Sequence, residues 1–180
     1  MNSCLKKFIL SISILFVLTM NSYSLGAGVQ AGVSPSVDIN ESGLFMNNTI
    51  GNLTGTIKLF RIPAVFGFGL DAGVDNSQFI FGISGFFDYW FLDYQIKNTW
   101  NLYSGAGVSV KMLMDLDSNF ILNAGPRFFA GMNWLFYDNY VEYYVQLNIN
   151  PNFVMPISSD LQNGIFRLAF PVETGVRLHF

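Results

Sequence analysis

The last sixteen residues, Ile165–Phe180, read IFRLAFPVETGVRLHF. Stepping back in twos from Phe180 gives Leu178, Val176, Thr174, Val172, Phe170, Leu168 and Phe166, a set without a charge. The residues between them are His179, Arg177, Gly175, Glu173, Pro171, Ala169 and Arg167, and these carry every ionisable side chain of the stretch. Successive side chains of a β-strand point to opposite faces, so this is a strand with one apolar and one charged face. An apolar face that ends on the terminal Phe180 needs a broad apolar environment to lie against.

The same period of two recurs upstream. It predicts strands over about 25–39, 49–61, 66–74, 78–92, 100–112, 120–134 and 141–153, with 165–180 the eighth. Glu41 to Asn48 and Asp93 to Asn98 read as connections, as does Pro156 to Gly164. Ile62-Pro63-Ala64, Asp75-Asn76-Ser77, Asp115 to Asn119 and Tyr137-Asp138-Asn139 read as turns. Short connections between neighbours predict an antiparallel meander, and closing it into a barrel removes its edges.

Charge parity sets the inside of that barrel. Asp38, Lys58, Asp71, Asp88, Lys111, Arg127, Glu142, Arg167, Glu173 and Arg177 all fall on the more polar face of their strands. Ile80, Phe86, Trp90 and Phe129 are apolar exceptions on that face. Period two does not by itself say which face is inside, and a soluble, lipocalin-like barrel would point the apolar set inward. The polar set here is rich in glycine, which suits a narrow interior, and the bulky set suits a broad outer wall. An Arg or Lys against lipid at mid-depth costs about 2–4 kcal/mol, and this pattern avoids it. The expectation is an all-β, eight-stranded antiparallel transmembrane barrel over residues 25–180.

Residues 1–24 read as a cleaved export signal: Lys6 and Lys7, the apolar run Phe8 to Met20, then Ser22-Tyr23-Ser24. The one cysteine, Cys4, lies within it, so the mature chain is expected to hold no disulfide and no thiolate nucleophile. Without Lys6 and Lys7, 7 of the 9 basic residues face 12 acidic ones, a net charge of −5 that argues against a nucleic-acid partner. No later stretch offers the 18 uninterrupted apolar residues of a membrane helix.

Glu173, Gly175, Leu178 and Phe180 resemble, in type and spacing, the terminal assembly signal of bacterial outer-membrane barrels. From residue 25 onward the chain is similar to the small eight-stranded barrels of the OmpX, OmpW and OmpA type. The resemblance implies an outer-membrane location with both termini periplasmic. It implies membrane lipid and the barrel-insertion machinery as partners, and a monomer. Aromatic girdles are expected at both interfaces. One would draw on Trp90, Trp100 and Trp134 with Tyr89, Tyr94, Tyr103, Tyr137, Tyr140, Tyr143 and Tyr144, the other on Phe79, Phe120 and Phe153.

The inward charges, five acids and five bases, form the candidate site: a polar network filling the lumen. His179 has no second His or Cys with which to share a metal, and no nucleophile stands out, so neither catalysis nor a metal or other cofactor is expected. Gly26 to Ala31 spells a dinucleotide fingerprint without its strand and helix, and Asp115 to Asn119 begins like a calcium loop but puts Phe120 and Pro126 where Gly and Glu are needed. Glu41, Asp75, Asp115, Asp117 and Asp160 would make an acidic, solvated outer rim. The expected function is a non-catalytic envelope or surface-interaction barrel. The alternative is a narrow channel for small, apolar molecules, as resemblance to the OmpW type implies.

Overall fold

The computed structural model describes residues 25–40, 43–59, 62–75, 78–97, 99–117, 119–157 and 165–180. The expected export signal, Arg61, and the acids Glu41 and Asp160 lie outside these residues. The strands are β1 (Leu25–Asn40), β2 (Gly43–Leu59), β3 (Ala64–Asp75), β4 (Gln78–Lys97), β5 (Trp100–Asp115), β6 (Phe120–Phe136), β7 (Val141–Pro156), β8 (Ile165–Ala169) and β9 (Val172–His179). Each pairs antiparallel with its neighbours; β1 pairs with β2 on one side and with β8 and β9 on the other, which closes the ring.

β8 and β9 together are the eighth stave, interrupted at Phe170 and Pro171. Pro171 has no N–H to give to a ladder. Its carbonyl still accepts the Asn148 amide at 2.8 Å, and the Phe170 amide donates to the Pro35 carbonyl at 2.9 Å. The side-chain alternation therefore passes through the break unshifted.

Two expected connections are strand over 43–48 and 93–97. β2 begins at Gly43, pairing as far as Asn40↔Gly43, and β4 continues to Lys97. Polarity made 41–48 and 93–98 read as loops, but a ladder continues on backbone hydrogen bonds wherever neither face has to be apolar. A register shift between Trp90 and Leu92 accompanies the extension of β4. A tilted strand needs about 9–11 residues to cross a bilayer. The uninterrupted staves, of 12 to 20 residues, exceed that.

The apolar face is outside. Phe68 is 66% exposed, Leu53 and Leu147 are each 61% exposed, and these residues sit in mid-strand. Water would not tolerate a belt of this extent on a monomer. Among the described residues no helix is long and apolar enough to cross a membrane; the crossing is made by strands.

The aromatic girdles are only partly as expected. At the end carrying the chain termini, Trp100 meets Trp134 edge-on at 5.1 Å, Trp134 meets Tyr143 at 5.5 Å, and Tyr140 meets Phe180 at 6.0 Å, all on the outer wall. Trp90, Tyr103 and Tyr144 are absent from that belt: they are buried in the lumen. At the distal end the outer wall carries Phe79, Phe120 and Phe153.

Candidate functional site in the lumen

All ten sequence-predicted charged residues point inward, and Lys111 is the least buried of them, with 12% of its side chain exposed. Burying a charge is costly unless it is paired and hydrogen-bonded. The lumen meets this by sorting the charges into four groups along the axis.

Nearest the chain termini, Glu142 accepts from Lys58 Nζ and His179 Nε2 at 3.0 Å, from Arg177 at 3.4 Å, and from Asn133. The Lys58 ammonium also sits 3.8 Å over the Trp90 ring and the Arg177 guanidinium 3.8 Å over the Tyr144 ring. Cation–π contact of this kind adds to the pairing. In mid-lumen Arg127 spans two carboxylates, donating to both oxygens of Asp88 at 3.0 Å and to both oxygens of Glu173. Gln146 and Asn148 donate to Glu173 at 2.8 and 2.9 Å, so that carboxylate is saturated. Beyond it, Lys111 pairs with Asp71 at 2.6 Å. At the distal mouth Arg167 is shared by Asp38 at 2.6 Å and Asp75 at 3.0 Å.

Asp75 and Asp115 correct the solvated-rim reading: each is only 7% exposed, and Asp75 belongs to the ion-pair network. Sequence reasoning could have found both, because Asp75 shares the parity of Asp71, and Asp115 that of Lys111. The expected strands stop short of both, at Val74 and at Met112.

The apolar exceptions on the polar face fill the remaining space. Phe86, Trp90 and Phe129 pack with Val65, Tyr103 and Tyr144 in one cluster; Ile80 packs with Ile50, Leu113 and Ile121 in another. Trp90 and Tyr103 lie parallel with centroids 3.9 Å apart. Inward glycines make room for rings from the neighbouring strand. The pairs Gly67↔Phe86, Gly105↔Phe129, Gly131↔Tyr103 and Gly175↔Tyr144 are direct cross-strand partners. A Cβ on Gly131 would stand 2.6 Å from the Tyr103 ring, and one on Gly175 2.6 Å from that of Tyr144. The phenols continue the network: Tyr103 donates to Gln146 at 3.0 Å and Tyr144 to Gln30 at 2.8 Å.

Of the four residues of the terminal pattern, Glu173 is thus in the mid-lumen network, Gly175 lies under Tyr144, and Leu178 and Phe180 face outward.

A closed ring of eight antiparallel staves with ion pairs inside and Phe, Leu and Val outside decides the architecture. The fold is that of a small outer-membrane β-barrel. Neisserial surface protein A is similar over 86% of this chain and 97% of its own, with 13% identity and a TM-score of 0.57. Two further barrels align over similar lengths. The outer membrane protein AlkL, determined in DMPC bilayers, matches at 15% identity and a TM-score of 0.48, over 88% of this chain and 90% of its own. Ail, the attachment invasion locus protein of Yersinia pestis, matches at 13% identity and a TM-score of 0.42, over 86% and 98%. No protein-family model matches the chain, and neither does any curated protein.

Proposed function

We propose that this barrel resides in the outer membrane as a non-catalytic element of the envelope, with a lumen closed by its own paired side chains. One observation carries the reading. In mid-barrel the space left between Asn52, Lys111, Arg127 and Asn150 is about 10 Å³, enough for a single water molecule. A solute crossing the lumen would have to part Arg127 from Asp88 and Glu173, at the cost of exposing buried charges. The role that remains is structural or at the surface. Both termini are assigned to the periplasm, on the pattern of single-chain outer-membrane barrels with an even number of strands. Glu173, Gly175, Leu178 and Phe180 are assigned to recognition by the insertion machinery, and lipid is the lasting partner of a monomer. Planar-bilayer recordings of the refolded protein test the closed lumen. A quiet bilayer is expected, and reproducible unitary conductance overturns it.

A second reading, passage of small molecules, is favoured by a weak seam in the wall. Between Ala124↔Phe153 and Phe128↔Ile149 the β6–β7 ladder lapses around Pro126 and Pro151, and the neighbouring stave is broken at Pro171. Liposome permeation of small apolar solutes that ends when the seam is bridged by a disulfide would support this reading over the closed one.

A further inference from the structure

The mouth at the chain termini holds a cavity of about 130 Å³, lined by Leu59 and Pro63 beside the β2–β3 turn and by Asn101, Asn133 and Leu135 of β5 and β6. Trp90 also lines it and stacks on Tyr103, so the cavity ends against the ring cluster and is blind. Two charged residues complete the lining, Lys58 and Asp93. Asp93 is there because of a local irregularity. It shares the odd parity of Phe87, Tyr89 and Phe91, which face outward. The register shift between Trp90 and Leu92 reverses that parity, and Asp93 pairs with the inward Tyr103. Bulges at barrel rims re-aim side chains in this way.

A second observation concerns the wall itself. Asn133 is 2% exposed, and its Nδ2 donates to Glu142. The amide turned the other way would set oxygen against carboxylate, so its orientation is fixed. Its Oδ1 is left as a buried acceptor in the cavity wall, without a donor among the described residues. A buried acceptor left unpaired is costly. Charge, in contrast, is balanced. Lys58 and Asp93 are the cation and the anion of the lining, and Arg177 and Glu142 next to them repeat the balance. An added cation would meet Lys58, and an added anion would meet Asp93 and Glu142. The cavity is short of hydrogen-bond donors and not of charge.

We propose that this cavity binds a small neutral molecule through a primary carboxamide. The amide nitrogen brings two donors in one plane, one for Asn133 Oδ1 and one for the Asp93 carboxylate. Its carbonyl accepts from the Asn101 amide, the direct cross-strand partner of Asn133, and its short apolar body lies against Leu59, Pro63 and Leu135. The assignment goes beyond the closed-lumen reading, since a ligand seated in a blind mouth does not have to cross, and conductance tests that reading separately.

The test is an NMR titration of the full refolded barrel in zwitterionic micelles with propionamide, and with its isomer N,N-dimethylformamide, which has no N–H. Propionamide is expected to shift the side-chain amides of Asn101 and Asn133 and the indole N–H of Trp90. N,N-dimethylformamide should bind about tenfold more weakly, for want of both donors. Asp93→Ala removes one acceptor at an exposed position and should weaken propionamide roughly fivefold, the worth of one hydrogen bond. Leu135→Trp, which fills the cavity without touching a charge, should abolish the shifts while the barrel spectrum stays folded. Equal binding of the two isomers overturns the proposal, as does tighter binding of propylammonium or propionate than of propionamide. So do shifts that survive Leu135→Trp, which place the ligand elsewhere, and so does the absence of shifts, which leaves the cavity to water.

Discussion

The two halves of the lumen both hold paired charges and differ in what fills the space between them. Toward the chain termini Glu142 meets Lys58, Arg177 and His179, and rings from four strands stack over opposing glycines. Toward the distal mouth Arg167 is shared by Asp38 and Asp75, Asp115 is bonded by Asn119, and the aliphatic Ile50, Ile80 and Leu113 take the place of the rings. The cavity at the terminal end is about 130 Å³, less than half the 280 Å³ at the other. Ring packing makes one half a stopper, and the larger cavity leaves the other half less filled. The boundary is Arg127 with Asp88 and Glu173.

The sharpest way to break this contrast is Glu142→Gln, which leaves Lys58 and Arg177 buried without their carboxylate. Orphaning a buried ion pair costs about 3–5 kcal/mol. The urea midpoint for loss of the compact, heat-modifiable gel form should fall accordingly; a small change would mean that water already reaches this layer.

A smaller effect is expected where ring meets glycine. Gly131→Ala places a methyl against the Tyr103 ring, and overpacking of this kind costs about 1–3 kcal/mol. Pairing it with Tyr103→Leu should recover much of the loss in the same urea assay. Without recovery, the close fit of ring to glycine is not what holds this half together.

In the distal half Asp115→Asn should cost about 0.5–1.5 kcal/mol, the worth of one hydrogen bond, since Asn119 can still donate to the remaining side-chain oxygen. A large loss would place Asp115 in the stabilising network and erase the difference between the halves. The finest test is amide hydrogen exchange. Amides bordering the lapse at Pro126 and Pro151 should exchange before those of Tyr144 and Gln146, whose ladder with β9 is continuous. The reverse order would put the weak side of the wall at the terminal end.

Much of this was legible in the chain. Arg167, Glu173 and Arg177 alternate with Leu168, Val172, Thr174 and Leu178, and the same parity puts every predicted charge inside. Strand ends are harder to read: Asp75 and Asp115 read as turn residues because a polar residue beside Asn and Ser looks like a turn, whatever its backbone does. Trp90, Tyr103 and Tyr144 read as girdle residues by their position near the chain turns, although parity places them with Asp88, Gly105 and Glu142.

What the sequence determined by itself is the wall: which residues face lipid, which face inward, and that the two sets meet on a period of two. That follows because side-chain direction in a strand is a local property, fixed by the backbone at each residue. Who pairs with whom was decided only by the tertiary structure. Lys58 and Glu142 are 84 residues apart, and Arg167 and Asp38 are 129. They meet across the lumen because closure, strand tilt and register bring them to one level, and nothing local to either residue encodes that level. The stopper, the open mouth and the boundary at Arg127 are consequences of that closure.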